Sequence, residues 1–166
     1  MLAYCKNGIV IATHEESQNI PESVYGEGVR AVPLTDAIAG EPMPALNRSG
    51  LQAYAAAKRR AVIAGGCTIA VDGLQIPIWA DDKTIATLTA LMLRASIDPN
   101  LVIASWKARD GNFFELNAGD IATLANGLFA FIQSAFDVEG SVSADIEAEN
   151  ITTLEEIEAA GWPAND

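Results

Sequence analysis

The chain has 166 residues, a formal net charge of -12 at pH 7, 50% hydrophobic residues and 19% charged ones. That is enough apolar material for one ordinary domain with a buried core, and it excludes a globally disordered chain. The acidity, with a pI near 4.3, argues against broad binding to nucleic-acid phosphates and against docking on anionic lipid.

No stretch approaches the ~20 apolar residues of a membrane helix. The opening MLAYCKNGIV has no basic run leading into a long apolar one, so no signal peptide is expected. Cys5 and Cys67 match no metal-ligand spacing and are expected as two buried free thiols.

Leu2 to Leu34 reads as a small β segment. Tyr4, Ile9 and Ile11 surround Asn7-Gly8, a pair that tolerates positive φ and so favours a hairpin, and Val29 to Leu34 follows as a third strand. Residues 35–50 carry Gly40, Pro42 and Pro44 and no periodic pattern, which predicts a linker. The chain is thus expected to divide into a β attachment segment (1–34), a linker (35–50) and an α+β domain (51–166).

From Leu51 the signal is helical. Leu51, Tyr54, Ala55 and Val62 suit a helix capped by Ser49 and stopped at Gly65-Gly66. Lys58, Arg59 and Arg60 lie toward its C-terminal half, where cations complement the helix dipole. Ile69 and Val71 alternate before Asp72-Gly73, and Leu74, Ile76 and Ile78 alternate after it, which predicts a hairpin with one apolar face. Pro77 places its strand at an edge. Asp81 or Asp82 then caps a helix carrying Ile85, Leu88, Met92 and Ala95 that ends before Pro99.

The pattern returns with Val102, Ala104 and Trp106, then Asp110-Gly111, then Phe114 and Leu116, then a helix with Asp120 near its start. Both helices carry the string Ile-Ala-Thr-Leu, at Ile85–Leu88 and at Ile121–Leu124, so two hairpin-helix units of similar design are expected. The third helix is expected to be long, from Gly119 to Glu149, with Gly127 and Gly140 as bend points. Its apolar positions include Ile121, Leu124, Leu128, Ile132, Ala135, Val138, Val142 and Ile146. Phe129, Phe131 and Phe136 widen that surface beyond one stripe. A capping box at Thr152/Glu155 or Thr153/Glu156 opens a short last helix that Gly161 stops. The fold class is therefore α+β: a small N-terminal β segment, then two β-hairpins packed on about three helices, plus a short C-terminal helix.

Chemistry-bearing motifs are sparse. His14 is the only histidine, and in His14-Glu15-Glu16-Ser17-Gln18 the second histidine of a zinc-protease motif is missing. No serine elbow accompanies it. Asp81-Asp82 reads as a helix cap before it reads as an acid-base pair. Gly26-x-Gly28 lacks the third glycine of a dinucleotide loop. No catalytic, cofactor-binding or metal residues are assigned, and a binding or structural protein is favoured over an enzyme. Core packing is the default expectation for the hairpin aromatics, Trp106 among them; the candidate interface residues, should they be exposed, are Trp79, Trp106, Phe113, Phe129, Phe131 and Phe136.

Four stretches, LQAYAAAKRRAVIAGG, VDGLQIPIWADDKTIATL, SWKARDGNFFELNAGDIATLANGLFAFIQSAF and ENITTLEEIEAAGWP, run in order from Leu51 to Pro163. Together they resemble a domain of unknown function common in tailed-bacteriophage and prophage proteins. The opening AYCKNGIVIATHEESQNI is similar to the short β start of many phage tail-region proteins, and the end is similar to tail-fibre assembly proteins. The resemblance implies a non-enzymatic structural component of the tail tip, baseplate or fibre attachment, located in the virion and in the host cytoplasm during assembly. It implies other tail, baseplate or fibre proteins as partners, an oligomer or assembly subunit, and no cofactor, nucleic acid or membrane. The alternative it leaves open is a tail-fibre assembly chaperone that is not retained in the virion.

Overall fold

The computed structural model describes residues 2–7, 9–15, 20, 22–25, 27, 29–33, 38–40 and 46–165. The expectations resting on Gly8, Glu16, Ser17, Gln18, Gly26, Gly28, Leu34, Thr35, Pro42 and Pro44 lie outside these residues. The fold is α+β. Its residues form two compact units, Met1–Ala56 with Val142–Ile157, and Ala57–Ser141 with Glu158–Asp166.

The first unit holds an antiparallel sheet in the order β2-β1-β3, from strands β1 (Leu2–Lys6), β2 (Ile9–His14) and β3 (Arg30–Pro33). Asn7 has φ +51°, the left-handed conformation that a tight hairpin demands. The β1–β2 register shifts between Tyr4 and Cys5. Ala3, Tyr4, Cys5, Val10 and Val32 are buried. So are Leu51, Tyr54 and Ala55 of helix α1 (Arg48–Gly65), Val142 and Ile146 of α3 (Ala118–Glu147), and Leu154 and Ile157 of α4 (Leu154–Glu158). Arg30 pairs with Glu155 at 3.3 Å, and Arg48 pairs with Glu147 and Glu149 at 3.2 and 3.3 Å. These pairs are exposed, so each contributes about 0–1 kcal/mol.

In the second unit β4 (Cys67–Val71) and β5 (Leu74–Ile78) form the hairpin expected around Asp72-Gly73. Asp72 and Gly73 have φ +48° and +83°, as a two-residue turn with both central residues left-handed requires. Val71 and Leu74 close that turn as a hydrogen-bonded pair. Hydrogen-bonded and open pairs then alternate, which makes Thr68 and Pro77 an open pair. Proline fits there because its missing N–H points away from the ladder. Helix α2 (Asp82–Ile97) follows, then β6 (Val102–Lys107), β7 (Phe113–Asn117) and α3.

The core of this unit is Cys67, Val71, Ile76, Ile78, Ala80, Leu88, Ala108, Leu116, Ile121, Leu124 and Leu128, with Ile69, Trp106, Phe114 and Ile132 packed against it. The alternation of the hairpins and the periodicity of the helices put these residues on the inward faces. Gly127 lets α3 approach β4 closely: a Cβ there would lie 2.8 Å from Ile69 Cδ1.

Helix ends differ from expectation in informative ways. Asn47, not Ser49, caps α1: its Oδ1 accepts from Gly50 N at 2.9 Å, and Ser49 lies inside the first turn. Asn117 caps α3, accepting from Gly119 N at 2.7 Å and Asp120 N at 3.1 Å, while Asp120 Oδ2 accepts back from Asn117 N at 2.8 Å. This is a reciprocal box in which Asp120 plays the answering residue. Helix α3 stops at Glu147, two residues short of the expected Glu149, because Glu149 turns left-handed (φ +60°) and Asn150 and Ile151 donate back to Asp145 O. Asp81 caps α2 through Thr84 N at 2.7 Å, and Thr153/Glu156 is the box that opens α4.

Candidate protein interface

The faces of α3 follow from 100° per residue. Ile121, Leu124, Leu128 and Ala135 point into the protein and are buried. Phe131 falls to one side of that stripe and is packed against the core. Phe129 and Phe136, seven residues apart, fall together on the other side and are exposed. The three phenylalanines do not share one face, and only two of them look outward.

The outward pair is not equivalent. Arg59 of α1 lies over the Phe136 ring, 4.1 Å from its centroid, and is itself paired to Glu139 at 2.6 Å. Phe129 is 71% exposed and borders a cavity of about 150 Å³ between α2 and α3. Ile85, Leu88 and Met92 line it from α2, and Leu128 and Ile132 from α3. Leu93 and Ile97 are also exposed on α2, 65% and 77%, but at 100° per residue they lie about 100° and 140° around the helix from Met92, away from the groove.

The hairpin aromatics divide the same way. Trp106 faces inward, packed against the core, with its Nε1–H buried and without a hydrogen-bond acceptor among the described residues. Phe113 points out beside Lys107, whose ammonium lies 5.9 Å from its ring. Trp79 is half-exposed just beyond β5, with the Arg109 guanidinium 5.6 Å from its centroid. Of the six candidate residues, Trp79, Phe113, Phe129 and Phe136 are exposed, and Trp106 and Phe131 serve the core.

The titratable groups weighed for chemistry are engaged structurally. The backbone N–H of Thr84 and then its hydroxyl hold the Asp81 carboxyl below the usual carboxylate range. The Thr152 backbone N–H, with Thr153, does the same for Glu156. His14 ends β2, hydrogen-bonds through Nε2 to the Tyr25 hydroxyl and lies edge-on to Tyr4. Lys58 pairs with Glu158 at 2.6 Å, so two of the three cations in the Lys58–Arg60 run are tied to carboxylates. Burial pushes both the Cys5 and Cys67 thiols up, with Arg109 opposing the shift at Cys67. Among the described residues, no three His, Cys, Asp or Glu side chains are placed to hold a metal ion.

Helix α3 is long and apolar enough, by length and composition, to cross a membrane. The expectation that no stretch approaches such a length is corrected to that extent. Six of its residues, Ile121, Leu124, Leu128, Ala135, Val142 and Ile146, are nevertheless buried against protein.

Comparison with known proteins identifies a family. Residues 47–161 fit the model of a family described as a domain of unknown function, DUF4376. No curated protein and no solved structure matches the chain.

Proposed function

The chain belongs to the DUF4376 family, whose description carries no function, and we propose, on the surface described above and on the sequence resemblance, that it is a non-enzymatic structural protein acting through protein-protein contacts in a bacteriophage tail, at the tail tip, baseplate or fibre attachment. The observation that carries the contact function is the exposed Phe129 beside the apolar groove lined by Ile85, Leu88 and Met92 of α2 and by Leu128 and Ile132 of α3. A large aromatic beside a groove, left in water, is costly unless a partner covers it. The placement in a phage tail rests on the resemblance of the Leu51–Pro163 stretches to tailed-phage and prophage proteins. The role needs no cofactor, nucleic acid or membrane.

Mass spectrometry of purified particles, with pull-down of tail, baseplate and fibre proteins by the full chain, tests the reading. Recovery in the particle, and partner capture lost in Phe129→Asp, is the expected result. Absence from the particle with retained capture of a fibre protein selects the assembly chaperone instead. A strict monomer that captures none of these proteins overturns both.

A further inference from the structure

A second surface of the same unit has different chemistry. The outer face of the β4–β5 hairpin carries Thr68, Gln75 and Pro77, opposite the core-facing Cys67, Val71, Ile76 and Ile78. Together with Trp79, Arg109 and Asp110 these residues line an open depression of about 610 Å³. That volume lies in the range of small-molecule sites.

The walls are fixed in place. The Arg109 backbone N–H donates to Pro77 O at 2.8 Å, and its guanidinium donates to Gly65 O at the end of α1. The same guanidinium lies by the Trp79 ring. Asp110 accepts from Asn112 through both carboxylate oxygens, at 3.0 Å from the backbone N and 2.7 Å from Nδ2. An exposed tryptophan is thus held beside a rigid set of planar polar groups.

We propose that this depression binds a neutral saccharide, with Trp79 as the stacking platform and Thr68, Gln75 and Asp110 hydrogen-bonding ring hydroxyls. Charge selects the class. Arg109 and Asp110 carry opposite charges and, among the described residues, no other lining residue is charged, so the lining has no net charge to favour an anion or a cation. The hydrogen-bonding inventory fits as well. Gln75 and Thr68 both donate and accept, and Asp110 accepts, which suits hydroxyls that do both.

A peptide fits less well. Strand addition along β5 fails at Pro77, which has no N–H and whose carbonyl is taken by Arg109. Proline-rich segments dock on aromatic-lined grooves, and among the described residues Trp79 is the one aromatic lining this depression. The site is separate from the Phe129 groove, and its assignment does not rest on the function proposed above.

The test is an NMR titration of the full chain with maltotriose, mannotriose and chitotriose at up to about 10 mM. We expect saturable shifts of the Trp79 indole and Gln75 amide signals with at least one sugar, unchanged by added salt because the ligand is neutral. Trp79→Ala should weaken binding by ~10-fold or more. Gln75→Ala, on the outer face of the sheet, should weaken it while leaving the circular dichroism spectrum and Tm unchanged, which separates binding from folding. No shift with any of the three sugars overturns the proposal, as does binding that survives both substitutions. A polyproline peptide moving the same signals where the sugars do not would reassign the depression as a protein contact.

Discussion

Three glycines of similar appearance in the sequence have three different roles. Gly66 (φ +72°) ends α1, and a Cβ there would lie 2.3 Å from Ile78 O. Gly127 faces Ile69 inside a helix, and Gly140 has nothing within 4 Å. Gly66→Ala should therefore destabilise by about 1–3 kcal/mol through strain and overlap. Gly140→Ala should stabilise by about 0.5–1 kcal/mol through helix propensity. Chemical denaturation of the two variants checks both signs at once, and a stabilising Gly66→Ala would contradict the packing described here. The stop at Gly65-Gly66 is readable because a glycine pair ends a periodic pattern. The difference between Gly127 and Gly140 is not, because it depends on what β4 places opposite the helix. The caps titrate in a defined direction. Asp81 and Glu156 have lowered folded-state pKa values, so their contribution is present above the ordinary carboxylate range and is lost as pH falls through the lowered values. Both groups are exposed, so the effect is small. The stability gap between the wild type and Asp81→Ala should narrow from neutral pH to about pH 2, as followed by urea titration at each pH. A gap that widens on acidification would rule out the carboxylate as the capping group.

At the scale of elements, one dipeptide makes two different turns. Asp72-Gly73 is a two-residue turn directly between β4 and β5. Asp110-Gly111 sits in a five-residue connection in which Gly111 N donates to Ala108 O, Ala108 N donates to Asn112 O, and only Gly111 is left-handed (φ +90°). That is a type I turn followed by a glycine bulge. The sequence announces a hairpin in both places but not which turn. The second is tied to β5 by Arg109, whose partners Pro77 and Gly65 are distant in the chain. Asn165 is a stronger case, capping the end of α1 by donating to Val62 O at 2.6 Å and Gly66 O at 2.7 Å. Local patterns carry no trace of such pairings. The cap of α3, by contrast, was present in the sequence as Asn117-x-x-Asp120, with the asparagine at the end of an alternating run. Asn117→Ala should cost about 0.5–2 kcal/mol, while Asp120→Ala should cost less because it removes one bond of the box where Asn117→Ala removes two. Thermal unfolding of the two variants orders them, and the reverse order would shift the cap to Asp120.

On the scale of the whole molecule, helices α1 and α3 each contribute residues to both compact units, while β1, β2 and β3 belong to the first alone. Sequence patterning showed the change from β to helical character near residue 50. It did not show that Val142–Ile157 belongs with the N-terminal strands, because nothing local in an apolar helix says which distant strands share its unit. The second unit has its own cluster of buried side chains, from Cys67 to Leu128. The first assembles Ala3, Tyr4, Val10 and Val32 with Val142, Ile146, Leu154 and Ile157 from the far end of the chain. A chain beginning at Leu51 keeps every residue of the second unit and loses the strands of the first. It should stay soluble and unfold cooperatively, with amide protection retained at Leu88, Leu116 and Leu124. Protection should fall at Val142, Ile146 and Ile157, since opening is governed by the burial each segment retains. Hydrogen exchange on the two chain lengths reads this residue by residue. Equal protection at Ile146 in both would make the N-terminal strands an appendage that the helices do not need, and loss of protection at Leu124 would mean that the second unit does not fold without the first.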